Sequence, residues 1–156
     1  MRIRNKPWAK DELENSKIYI QNPEEIKGMW HEHFKKTENP IYLELGCGKG
    51  FFVKKAAKLN PEINYIAIDL IDAILGVANR NIQEEFNGKE IDNLLLTRYD
   101  VEEINNILDK KDNIKRIHIN FCNPWPKPRH NKKRLTFTRQ LENYKIFLKN
   151  DSQIAR

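Results

Sequence analysis

Glu44-Leu45-Gly46-Cys47-Gly48-Lys49-Gly50 places an acid two residues ahead of three alternating glycines. Glycines let a backbone take positive φ and approach a ligand closely. The loop lacks the Gly-Lys-[Ser/Thr] ending of a P-loop. It also departs from the dinucleotide pattern G-x-G-x-x-G, because its third glycine comes one residue early. A pyrophosphate gains nothing from a carboxylate beside it, whereas a ligand with an ammonium group does. S-adenosylmethionine carries an amino group and a sulfonium, and so suits Glu44 beside Gly46, Gly48 and Gly50. A strand-to-helix turn can also need glycine without any ligand.

Two more acids extend the pattern. Asp69 ends Asn64-Tyr-Ile-Ala-Ile-Asp69, where doubly wound nucleoside sites keep an acceptor for ribose hydroxyls. Asp100 closes Leu94-Leu-Leu-Thr97, where a carboxylate can meet an adenine amino group directly or through water. One acid at a strand end is commonplace. Three in succession, after consecutive strands, point to one ligand crevice.

Asn123-Pro124-Trp125 follows a further strand. The Asn123 amide oxygen can accept from a base N–H or exocyclic amine, and Trp125 offers a stacking face worth about 1–3 kcal/mol per base. The same three residues also suit a rigid turn with a core tryptophan. Lys127, Arg129, His130, Asn131, Lys132, Lys133 and Arg134 come next, and no acid interrupts residues 123–134. A basic run is often only a solvated face. Beside a ligand crevice, phosphate binding is the better reading. Arg2, Arg4, Lys6 and Trp8 suit a second backbone contact equally well as a terminus without fixed structure.

These residues need a frame. Ile41–Leu45, Asn64–Asp69, Leu94–Thr97 and Arg116–Phe121 read as strands, separated by stretches of helical period. Asn60-Pro61 stops the first of those helices. Asp72 can cap the second, and Asn87-Gly88 ends it. Val101, Ile104, Ile107 and Leu108 mark a third, and Phe137, Leu141, Tyr144 and Leu148 a fourth. Asn22-Pro23-Glu24-Glu25 predicts an additional helix through Phe34, with residues 1–20 a polar arm ahead of it. The expected organisation is an N-terminal basic arm and helix over 1–40 and an α/β domain over 41–156. The fold class is a doubly wound, mostly parallel sheet. In that winding the fourth strand lies beside the first, so Asn123 faces the glycine loop.

Composition sets the outer bounds. The chain has 156 residues, 32% charged, with a net charge of +6. That length suits one domain, and the charge favours a polyanionic partner. No apolar run approaches the roughly 20 residues of a bilayer span, and the basic N-terminus lacks the apolar stretch of a signal peptide. The expected location is cytoplasmic. Cys47 and Cys122 read as reduced thiols, and His31-x-His33 lacks the acids or thiols that would complete a metal site, so no metal is expected.

The segments LELGCGKGFF, NYIAIDL and NFCNPWPKPRHNKKRLT, with the opening MRIRNKPWA, resemble the bacterial tRNA (guanine-N7-)-methyltransferases. The glycine motif alone indicates only class I methyltransferases; the long basic block is the specific part. The resemblance implies a Rossmann-like class I methyltransferase fold. It implies S-adenosylmethionine as cofactor, with S-adenosylhomocysteine as product, and methylation of a guanine N7 in the tRNA variable loop. Glu44, Asp69 and Asp100 would bind the cofactor, Lys127 would contact RNA, and Arg129 to Arg134 would form the RNA-interacting stretch. The family's aspartate before Pro-Trp, a cofactor-site and proposed catalytic residue, is Asn123 here. The resemblance also implies two further strands, so the fold is expected to be incomplete after strand five. Two other functions stay open at this point. One is a non-catalytic tRNA- or cofactor-binding fragment. The other is an amino-group methyltransferase using the Asn-Pro-Trp loop.

Overall fold

The computed structural model describes residues 5–119, 144–145 and 147–155. Its strands are β1 (Tyr19–Ile20), β2 (Ile41–Leu45), β3 (Asn64–Asp69), β4 (Leu94–Arg98), β5 (Ile114–Ile119) and β6 (Leu148–Ala155). Its α-helices include α1 (Pro7–Glu14), α2 (Phe51–Leu59) and α3 (Asp72–Phe86), and Tyr144, Lys145 and Phe147 are also helical. Among the described residues the strands form one sheet in the order β1-β4-β3-β2-β5-β6, with every pairing parallel. The winding starts at β2, steps outward through β3 to β4, then returns to place β5 on the other side of β2. The expected doubly wound sheet is present, and the fourth predicted strand does lie beside the first.

Both faces of this sheet are covered, which explains the nearly continuous apolar strands. Tyr65, Ala67, Leu94 and Leu96 pack with Val53, Leu75 and Ile82 beneath α2 and α3. Leu43, Ile66, Ile68, Ile117 and Ile119 pack with Trp30, Ile104, Ile107, Tyr144 and Phe147 on the opposite face. Each fully buried Leu or Ile contributes about 1.5–3 kcal/mol relative to exposure. Two punctuation marks act as the sequence suggests. Asn60 ends α2, and Asn87 ends α3 in the left-handed region at φ 48°. Asp72 instead opens α3 as its first residue and faces Arg98 at 3.5 Å.

Five more expectations need correction. From residue 7 the N-terminal segment is not a loose arm. Pro7 starts α1, whose buried Ala9 and Leu13 face α3, and β1 then pairs with β4. A Cβ on Gly76 would stand 2.6 Å from the Ala9 Cβ, so glycine in α3 admits the contact. Arg80 lies over the Trp8 ring and pairs with Glu12, closing the interface.

Residues 23–34 are not one helix. They form two 3-10 turns, Pro23–Ile26 and Trp30–His33, and Asn22 makes no side-chain cap. Gly28 breaks the run at φ +82°. The Gly28 and Trp30 N–H groups donate to the Asp112 carboxylate at 2.9 and 3.0 Å, not to an earlier helical turn.

The segment 101–108 likewise forms a 3-10 turn, Val101–Asn106, followed by another at Lys110–Asp112. Ile104, Ile107 and Leu108 are buried and Val101 partly so, but the Asp109 cap and the Asp112 anchor hold a tighter path. Finally, Leu148 belongs to β6, not to the last helix; Ile114 of β5 is its register partner. The fourth predicted strand begins at Ile114, two residues earlier than expected, and Asn120 and Phe121 lie outside the described residues.

Candidate cofactor crevice

The glycine loop sits where β2 ends and α2 begins. The Gly46 and Cys47 N–H groups both donate to the Ile68 carbonyl, at 2.9 and 3.0 Å, tying the loop's start to β3. Gly46, Gly48 and Gly50 take φ values of 74°, 55° and 78°. At Gly50 the demand is double. The backbone is left-handed, and a Cβ would lie 3.2 Å from the Ala78 Cβ of α3. At Gly48 nothing stands within 4 Å of a Cβ position, leaving open room beside the loop.

The three acids occupy the carboxyl ends of adjacent strands. Glu44 is the penultimate residue of β2 and only 1% exposed, with Ala67 and His118 as register partners. Asp69 ends β3; its Oδ2 accepts from the Gly48 N–H at 2.9 Å and its Oδ1 from the Leu70 N–H at 2.8 Å. An ionised carboxylate has about four acceptor sites, so two backbone bonds leave capacity for hydroxyls. Asp100 follows β4 and accepts from the Glu102 N–H at 2.9 Å, capping its 3-10 turn. The Tyr99 N–H donates to the Asp69 carbonyl at 3.0 Å and joins these two strand ends.

This set suits the cofactor expected from the sequence. A carboxylate buried at a strand end matches an ammonium group. An acid at the next strand end, with accepting capacity to spare, matches ribose hydroxyls. The glycine loop between them leaves room for a ligand. Cys47 lies inside the loop as a free, buried thiol. Burial, then the Glu44 and Asp69 carboxylates, pushes its thiol well above the ordinary range, so it stays protonated and is no nucleophile.

Sequence reading missed two residues that shape the loop. Asn81 donates its Nδ2–H to the Lys49 carbonyl at 2.9 Å, and Ala78 supplies the surface against which Gly50 packs. The only signal was their spacing of three on one helix face. His118 lies on β5 with its ring 5.0 Å from that of Phe52. Burial, then Arg116, lowers its pKa below the ordinary histidine value. Asn123, Lys127, Arg129, His130, Asn131, Lys132, Lys133 and Arg134 lie outside the described residues, as do Arg2 and Arg4. Among the described residues no three His, Cys, Asp or Glu side chains gather as a metal site. No helix among them is long and apolar enough to cross a membrane.

Comparison with known proteins agrees with this geometry. Residues 38–155 match a family model described as "Putative methyltransferase". A tRNA (guanine-N(7)-)-methyltransferase of Clostridium botulinum (strain Eklund 17B / Type B) is 55% identical over 99% of this chain, which spans 71% of that relative. Among solved structures, PKMT2 from Rickettsia typhi in complex with AdoHcy superposes with a TM-score of 0.54 at 17% identity, over 74% of this chain and 20% of that one. An antibiotic-related methyltransferase superposes at 0.53 with 21% identity, over 70% and 53%. The two structures speak for a Rossmann-like class I methyltransferase fold, and the curated relative carries the closer assignment: this chain belongs to the tRNA (guanine-N(7)-)-methyltransferase family.

Proposed function

We propose that the protein transfers a methyl group from S-adenosylmethionine to N7 of a guanine in the tRNA variable loop, in the cytoplasm. The observation that carries the donor is the glycine loop with Glu44, Asp69 and Asp100 at the ends of three adjacent parallel strands. The 55% identity to an enzyme named for guanine N7 supports the acceptor.

On this reading Glu44 holds the donor's ammonium group, Asp69 accepts from its ribose and Asp100 from its adenine. The backbone at Gly46, Gly48 and Gly50 lets the ligand lie close. S-adenosylmethionine, when bound, supplies an electrophilic methyl group on a sulfonium. Guanine N7 has a free lone pair and no proton to lose, so the chain needs orientation more than a general base. Asn123 can serve that end although it lacks the charge of an aspartate, because its amide oxygen accepts a hydrogen bond from the guanine edge. Trp125 stacks on the exposed base. Lys127, with Arg129, His130, Asn131, Lys132, Lys133 and Arg134, holds tRNA by its phosphates, so binding weakens with salt. Residues 41–156 carry the proposed cofactor and tRNA contacts, and the segment before them adds α1, β1 and Trp30 to the same sheet and core.

The test incubates unmodified tRNA with the protein and S-adenosylmethionine and analyses the nucleosides by mass spectrometry. The expected product is 7-methylguanosine in the variable loop. Methylation of an exocyclic amine would transfer the assignment to amino-group chemistry. Cofactor and tRNA binding without any methylation would leave a binding protein.

A further inference from the structure

We propose that Asn81 is a positioning residue of the cofactor site, acting through the Lys49 carbonyl to hold the second half of the glycine loop. The inference rests on the reading that S-adenosylmethionine lies along that loop. The loop's first half is fixed by the sheet. Gly46 and Cys47 donate to the Ile68 carbonyl, and Gly48 donates to Asp69. Gly50 is held at both backbone groups, its N–H donating to the Cys47 carbonyl and its carbonyl accepting from the Lys54 N–H, each at 3.0 Å. The Lys49 carbonyl between them is met by α3. Asn81 Nδ2 donates to the Lys49 carbonyl at 2.9 Å, and Ala78, one turn earlier on the same face, meets Gly50.

A segment with glycine on both sides of Lys49 has many backbone states open to it. Freezing it only on ligand binding subtracts from affinity, and holding it beforehand removes that cost. α3 therefore acts as a template for the loop, with Asn81 as the hydrogen-bonded contact. The Asn81 side chain makes no direct claim on the ligand.

Calorimetric titration of the 156-residue chain with S-adenosylhomocysteine tests this. Asn81→Ala removes the bond. Asn81→Asp keeps the shape but turns an acceptor toward the carbonyl. Asn15→Ala is the control, because Asn15 Nδ2 makes a comparably exposed 2.8 Å bond to the Asp11 carbonyl in α1. Losing one such bond should weaken binding about three- to tenfold in Asn81→Ala, and at least as much in Asn81→Asp. Thermal midpoints should stay level with that of Asn15→Ala, whose affinity should equal that of the unmutated chain. Asn81→Gln, which keeps a donor, should recover part of the loss. Normal affinity in both Asn81→Ala and Asn81→Asp overturns the proposal alone. So does a loss shared equally by Asn15→Ala. Absence of binding by the unmutated chain overturns the cofactor reading and this proposal with it.

Discussion

Asp112 and Asp69 are both aspartates that accept backbone N–H bonds, yet they sit at opposite ends of the sheet and do different work. Asp112 lies just before β5, fully buried. Its carboxylate accepts from Gly28 at 2.9 Å, Trp30 at 3.0 Å and Asp109 at 2.9 Å. The Trp30 indole N–H then donates to the Ile107 carbonyl at 2.7 Å, so a whole irregular layer is pinned at one point. Asp69 ends β3 with two such bonds, only partly buried, beside a loop with open room at Gly48. The number of local donors and the access of water separate the roles. A buried carboxylate met by three N–H groups of its own chain is a structural joint. One with two such bonds at a strand's carboxyl end has lone pairs to spare for the ligand proposed there.

The largest expected effect comes from removing the joint. Asp112→Ala strands three N–H groups in a buried layer, and each unmet buried donor costs about 1–3 kcal/mol. The variant should lose about 3–5 kcal/mol of stability by urea denaturation, with Trp30 fluorescence following the same transition. A loss under about 1 kcal/mol would mean that water replaces the carboxylate, and would erase the contrast with Asp69.

Asp69→Ala should show the opposite profile. Affinity for S-adenosylhomocysteine should fall by about 1–3 kcal/mol, through lost ribose bonds and a released Gly48 N–H. Urea stability should change by less than about 1 kcal/mol, because the freed donors reach water. Unchanged affinity removes Asp69 from the site. A stability loss as large as that of Asp112→Ala would make the two acids alike.

The strands and glycine turn of the proposed functional end were legible in the sequence, and the structural end was not. Glu44, Asp69 and Asp100 follow strands whose apolar runs are continuous, and the glycine spacing marks the turn between them. Such signals are local, so a linear reading finds them. Asp112 reaches 84 positions back to Gly28, and nothing near residue 28 announces a carboxylate. The pattern at 22–34 therefore read as a helix, although Gly28 and Trp30 have their donors turned elsewhere. α1 was missed for the same reason. Two buried apolar residues in eight look like a polar arm until Gly76 and Arg80 of α3 are brought against them. Asn81 shows the limit even at the functional end, since its partner, Lys49, lies 32 positions away.

The smallest expected effect lies on β5, between these ends. His118 is half-buried against Phe52 and Tyr42, so its imidazolium is incompletely hydrated. Burial, and secondly the Arg116 charge, lowers its folded-state pKa below 6.5. The unfolded chain keeps the ordinary value and so takes up the proton first as pH falls. Stability from this residue is therefore full above about pH 6.5 and declines as pH falls from there toward the folded-state pKa, becoming level below it. Denaturation midpoints measured from about pH 7.5 to pH 5 should show this decline, and His118→Gln should flatten it. The slope is modest because the ring is partly wetted. An identical decline in His118→Gln would assign the acid sensitivity to other groups.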